Sequence, residues 1–293
     1  MTVKGLLGAF SAWSAEGRPL VLASVYETEG STYSKAGAQM LITGDGRFHG
    51  MLSGGCLEGD LAERARAVVE SGAPQAVTYD LGQNDEELWG LGVGCDGLMR
   101  IFLQPLTADS GYEPFATMAR ALAGDSDQVA ATVVTSDFDL LPAGATMVTV
   151  EGDLAFNDID DELVEPLSVL VGKTLLQGES ITHRVETDAG AARVLCAVLR
   201  PPPAIIVLGA GLDAGPVVRF AAELGWRVTV QDHRPAYVDA GDFRCADAVH
   251  CLPVDQLSAS VDLDDFDAAI VMSHHLTSDR AYLSQLARSR MGY

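Results

Sequence analysis

Directly after Pro201-Pro202-Pro203 the chain runs AIIVLGAG, continues through a helix-compatible stretch to Leu224, and enters a second apolar run, WRVTVQD. A short apolar strand that ends in glycines and opens a helix leaves few alternatives. The glycines make a tight turn, and the next strand returns parallel by a right-handed crossover. Gly209-Ala210-Gly211-Leu212-Asp213-Ala214 fits G-x-G-x-x-G/A, and Asp232 closes the second run. In this reading Gly209 permits the turn and Gly211 lets a phosphate approach the backbone. Free helix N–H groups hold the anion, and Asp232 accepts from a ribose hydroxyl. Arg234 could instead pair with a 2′-phosphate, which leaves NAD and NADP both open, and a domain that keeps the turn for packing alone is the alternative. Apolar runs at 248–252 and 267–273 alternate with helical segments. Residues 204–293 are therefore expected to form a Rossmann-like domain whose parallel sheet is covered on both faces. His274 and His275 fall at the sheet's C-terminal edge, where ligand contact and plain exposure fit equally. The chain stops straight after a helix where another strand is expected, which implies a shortened chain or a sheet completed by a partner.

The proline triplet is a stiff break, and the pattern before it differs. Residues 4–15 read as a helix, PLVLASVYETEG as a strand, and AQMLITGDGRFHGML as a hairpin about Gly44-Asp45-Gly46. After SGGC, Leu57, Leu61, Ala65 and Val68 recur at helical spacing up to Gly72, which marks an amphipathic helix and its end. A strand at 76–81, the acidic patch Asp85-Glu86-Glu87 and GLGVGCDG lead into the strand LMRIFLQPL. Residues 1–107 thus read as an α+β domain. Residues 108–200, with a helix at 112–123, strands at 129–135, 146–150 and 192–199, and an acid-rich helix at 158–176, read as an acidic α+β connecting region packed on it. The fold class expected is α/β: an N-terminal α+β domain followed by a C-terminal Rossmann-like parallel-sheet domain.

Against 19 Lys and Arg stand 41 Asp and Glu, a net charge of −22. Such a surface repels polyanions, so nucleic acid is not expected as a partner. Half of the excess lies in residues 108–203, which suits a solvated acidic face or docking to a basic partner. No apolar run reaches the roughly 18 residues of a membrane span, and the N-terminus lacks a basic segment with a cleavage site. The expected compartment is the cytoplasm. The five cysteines are odd in number and form no CxxC pair, which suggests thiols in a reducing environment, not a disulfide framework or a zinc site.

Two of those thiols sit among glycines. Ser53-Gly54-Gly55-Cys56 precedes the amphipathic helix, so loop N–H groups and the positive end of the helix converge where the Cys56 sulfur lies. Such surroundings lower a thiol pKa and make an anion site. A soft thiolate beside an anion cradle suits a metal-bearing or sulfur-bearing phosphate ligand, with Cys56 as the reactive and metal-binding candidate. Glu58 and Asp60 in the first turn suit the dipole but oppose an anion bound close by. Gly92-Val93-Gly94-Cys95-Asp96-Gly97 repeats the chemistry before a strand. The alternative for each cysteine is a small buried apolar side chain. His49 is the only histidine nearby in sequence, which makes a catalytic Cys-His pair less attractive.

The stretch EGSTYSKAGAQMLITGDGRFHGMLSGGCLEGD resembles the N-terminal signature of the XdhC/CoxI family, the xanthine dehydrogenase accessory proteins. GLGVGCDGLMRIFLQPL resembles that family's second glycine-rich stretch, and GAGLDAGPVVRFAAELGWRVTVQDHRP its C-terminal Rossmann segment. The resemblance implies a molybdenum-cofactor chaperone. Such a protein binds the molybdopterin-type cofactor, presents it to a cysteine desulfurase for sulfuration, and delivers it to a molybdenum hydroxylase of the xanthine dehydrogenase type. It implies cofactor-binding roles for Ser53, Gly54, Gly55 and Cys56, with Glu58 and Cys95 as secondary candidates, and nucleotide-loop roles for Gly209, Gly211 and Asp232. A homodimer is expected by the same resemblance. The competing function is an NAD(P)-dependent oxidoreductase working through the 209 loop. A third is a scaffold docking through the acidic middle segment.

Overall fold

The computed structural model describes residues 2–80, 97–187 and 190–292. It contains two compact units, Gly5–Pro201 and Pro202–Tyr293, the second joined by Thr2–Lys4.

The first unit holds two antiparallel five-stranded sheets. In the first, β1 (Leu20–Glu29), β2 (Gln39–Thr43), β3 (Phe48–His49), β4 (Gln75–Asp80) and β5 (Leu98–Leu106) lie in the order β3-β2-β1-β5-β4. In the second, β6 (Gln128–Ser136), β7 (Thr146–Val150), β8 (Asp153–Asn157), β9 (Ile181–Thr187) and β10 (Gly190–Leu199) lie in the order β8-β7-β6-β10-β9. Helix α1 (Val3–Ala15) precedes β1, α2 (Glu58–Ser71) covers the first sheet, α3 (Phe115–Leu122) joins the two sheets, and α4 (Asp161–Gln177) covers the second.

Alternation along each strand builds the layers. Val21, Ala23 and Val25 of β1, with Met99, Ile101 and Leu103 of β5, pack against Leu61, Ala65 and Val68 of α2. Tyr26 and Phe102 of the same strands meet Val134, Leu195 and Ala197 of the second sheet. The order within this unit is therefore helix, sheet, sheet, helix, and the central strands are buried on both faces. Gly72 ends α2 in the left-handed conformation, φ 66°. Asp160 caps α4 by accepting from the Glu162 amide at 3.0 Å. The edge strands β8 and β9 carry too little apolar alternation to be read from sequence. Helix α3 starts at Phe115, three residues later than its apolar pattern suggests, because Pro114 takes the N-cap.

The second unit is a four-stranded parallel sheet, β11 (Ala204–Leu208), β12 (Arg227–Gln231), β13 (Ala248–His250) and β14 (Ala268–Val271), in the order β13-β12-β11-β14. Helices α5 (Ala214–Glu223), α6 (Pro235–Ala240) and α7 (Leu257–Ser260) lie between its strands, and α8 (Leu276–Leu286) follows β14. One face of the sheet packs on Ala214, Val218 and Ala221, and the other on Leu257, Leu263 and Tyr282. The mixed α/β class with a C-terminal Rossmann-like sheet is thus observed. Among the described residues no helix is long and apolar enough to cross a membrane.

Leu61 is fully buried between α2 and the first sheet. Leu61→Ala should destabilise the first unit by about 3 kcal/mol, read as a lower urea midpoint with an unchanged slope. An unmoved midpoint would mean that α2 is not seated on the sheet.

Candidate functional site

The loop between β3 and α2 turns on two glycines held at positive φ, Gly54 at 79° and Gly55 at 108°, a region where a side chain is strained. That turn brings three backbone N–H groups round to one carboxylate. Glu58 Oε1 accepts from the amides of Leu52 at 2.8 Å and Ser53 at 2.9 Å, while Oε2 accepts from the Ser53 hydroxyl at 2.5 Å and the Gly55 amide at 3.0 Å. Ser53 Oγ in turn accepts from the Leu57 amide at 2.7 Å. Glu58 is only 2% exposed. Burial by itself raises its pKa, but the hydrogen bonds from Ser53 and the loop amides outweigh this and hold the carboxyl below its ordinary range.

The sequence alone suggests that these amides cradle an external anion. The structure gives most of the cradle to Glu58, because a carboxylate five residues along the same chain reaches it with no association entropy to overcome. Ser53 and Glu58 therefore face each other. No described residue accepts from the amides of Gly54 and Cys56.

Cys56 is half-buried, and its side chain packs against the apolar cluster under α2. It is neither sealed in the interior nor fully exposed. Cys196, by contrast, is buried, and burial pushes its thiol up to about 11. Tyr33, an aromatic side chain 61% exposed, stands over the loop: a methyl group added at Gly54 would lie 3.2 Å from its ring. The same segment meets the start of β5, since a methyl group at Gly97 would lie 2.5 Å from the Ser31 carbonyl oxygen. The 31–33 stretch is thus a wall of the site that spacing arguments do not single out; the signal was an aromatic residue in a polar Gly-Ser-Thr turn between two apolar strands. Cys95 and the rest of its loop up to Asp96, like Asp85-Glu86-Glu87, lie outside the described residues. Among the described residues no group of three His, Cys, Asp or Glu side chains is placed to hold a metal ion.

The 209 loop shows the same device. Asp232, fully buried, accepts from the Ala210 amide at 2.8 Å, which ties it to the glycine turn. It also takes Arg234 Nε at 2.9 Å and Nη2 at 2.6 Å in a bidentate pair. Arg234 continues to the Ser273 carbonyl oxygen at 3.2 Å and lies 3.8 Å from the Tyr237 ring centre. Asp232 and Arg234, the residues expected to meet a ribose hydroxyl and a 2′-phosphate, are thus bonded to each other at the sheet's C-terminal edge. Gly209 is required by packing, because a methyl group there would stand 2.5 Å from the Met272 carbonyl oxygen. At Gly211 the nearest obstacle is the Asp213 carboxylate, 2.7 Å away. His274 Nε2 lies 2.7 Å from Asp213 Oδ2, and His275 caps α8 by accepting from the Ser278 amide.

A folded-state pKa below the unfolded value gives stability that is complete above the unfolded value and lost as pH falls through the folded one. At pH 7, Glu58→Gln should therefore cost about 2 kcal/mol, or about 5 °C in melting temperature. The gap from wild type should narrow below pH of about 4. A gap constant down to the acid limit of folding would contradict the charge-assisted network.

Comparison with known proteins bears on both units. The model of the XdhC and CoxI family matches residues 13–80, and that of the XdhC Rossmann domain matches residues 205–293. A probable xanthine dehydrogenase subunit from Bacillus subtilis (strain 168) is 29% identical over 275 residues, covering 93% of this chain and 77% of its own. The molybdenum cofactor insertion chaperone PaoD of Escherichia coli (strain K12) is 36% identical over 66 residues, 22% of this chain and 21% of its own. A crystal structure described as a xanthine dehydrogenase from Bacillus halodurans superposes with a TM-score of 0.75 at 27% identity, covering 98% of this chain and 79% of that one. With the two family models together covering more than half of the chain and the fold shared along nearly its whole length, the chain belongs to the XdhC and CoxI family.

Proposed function

We propose that the protein is a maturation factor for a molybdenum hydroxylase of the xanthine dehydrogenase type. It binds molybdenum cofactor as cargo at the Cys56 loop, holds it for sulfuration by a cysteine desulfurase, and passes it on within the cytoplasm, working as a homodimer. The observation that carries this reading is a half-buried thiol at the start of α2, next to two unspent loop amides, on a turn fixed by a buried carboxylate. The family and its cofactor-insertion relative support it.

The cargo is a metal-bearing pterin with a phosphate, and the donor set at the loop fits its metal end. A thiolate is a soft ligand suited to such a metal. The Gly54 and Cys56 amides can donate to an oxygen beside it, and the positive end of α2 favours negative charge there. Glu58 keeps these donors in place without adding a bare charge, because four donors already satisfy its oxygens. Tyr33 offers a flat surface at the rim.

Molybdopterin content after purification from a cofactor-producing host tests the assignment. Wild type should carry cofactor, measured as its fluorescent oxidation product, and Cys56→Ser should carry about tenfold less, equivalent to about 1.4 kcal/mol of binding. Its melting temperature should stay within 2 °C, roughly 0.5–1 kcal/mol. Equal content in both proteins would remove Cys56 from the site.

A further inference from the structure

Helix α4 carries apolar residues on two opposite sides. Leu167 and Val171 are buried against the second sheet, while on the other side Val169 is 53% and Leu176 91% exposed. A helix that is apolar all round is ordinarily covered on every face. We propose that the outer face of α4 docks a basic amphipathic helix of a partner protein. This surface does not depend on the cargo assigned to the Cys56 loop.

The exposed residues Glu162, Glu165, Val169, Gly172 and Leu176 recur at alternating spacings of three and four along α4. That is the heptad pattern by which one helix seats on another. Gly172 is an independent pointer to the same contact. A glycine inside an exposed helix weakens it, and the packing of this chain does not call for one, because a methyl group added at Gly172 would meet no neighbouring element within 4 Å. Its missing side chain lies midway along the exposed seam, where it lets a facing helix come close.

Charge selects the occupant. Asp161, Glu162 and Glu165 are exposed along the first half of α4, and Lys173 is the helix's one cation. Among the described residues none of these three carboxylates has an ion-pair partner. The helix belongs to the stretch 108–203, which holds half of the chain's negative excess. A helix with Lys or Arg beside its apolar seam therefore meets carboxylates at one end of the face and Val169 and Leu176 at the other, and its charge speeds the encounter. A second copy of this chain is a poorer match. Paired parallel, the carboxylates of the two copies would lie together. Paired antiparallel about Val169, Leu176 of each copy would lie on Glu162 of the other, an apolar group against a charge.

Fluorescence anisotropy with the full-length protein tests this. The probes are a labelled peptide with leucine at heptad positions and lysine beside them, a shuffled peptide of the same composition without that period, and the heptad peptide with glutamate for lysine. The lysine heptad peptide should bind at least about tenfold more tightly than either of the others. Val169→Ser combined with Leu176→Ser, and separately Glu162→Gln combined with Glu165→Gln, should each weaken it about tenfold or more, while Cys56→Ser should leave it unchanged. Gly172→Gln should raise the melting temperature, glutamine being the better helix former, and yet weaken the peptide, a combination that a purely structural role would not give. Equal binding of the shuffled peptide, or undiminished binding in the two-serine variant, would overturn the proposal. So would a wild-type dimer that the same two serines turn into a monomer in sedimentation, which would make a second copy the occupant.

Discussion

The buried carboxylate of Glu58 determines what the first unit can do. Without it, the amides of the buried residues Leu52 and Ser53 would have no acceptor, and each unmet buried donor costs about 1–3 kcal/mol. With it, the turn has one conformation, and Cys56 is delivered half-buried just before the N-cap of α2. The helix in turn is held by its apolar face on β1 and β5. The position of the thiol therefore rests on packing below and on one charge-assisted network above.

Asp232 plays the corresponding part in the second unit. Each of the two glycine turns presents backbone donors in the manner of an anion cradle, and each is answered by a carboxylate of the chain itself. In a protein with 41 acidic residues, internal carboxylates are plentiful competitors for such positions. The consequence is a change in what each loop offers. At the first, a thiol and two amides remain. At the second, Asp232 ties the glycine turn to Arg234.

Much of the scaffold was legible because its signals are local. Leu57, Leu61, Ala65 and Val68 announce the buried face of α2, and all four are buried. Gly209 and its apolar strand announce the parallel sheet. The contact between the two antiparallel sheets was not legible, because strands buried on both faces lose the alternation that would show which face meets what. Polar edge strands such as Asp153–Asn157 carry no distinguishing pattern. The site was half legible. Ser53 to Cys56 stand out by composition, but a first-turn glutamate exposed to water and one folded back onto its own loop are the same letter in the same place. The same holds for Asp232, whose partner Arg234 was visible but whose burial was not.

The most direct test of the central claim is protection of the Cys56 thiol by cargo. Alkylation followed peptide by peptide by mass spectrometry should show Cys56 labelled readily in the empty protein and protected when molybdenum cofactor is bound, while the exposed Cys245 and Cys251 label equally in both. Identical labelling of Cys56 with and without the cofactor would contradict the account.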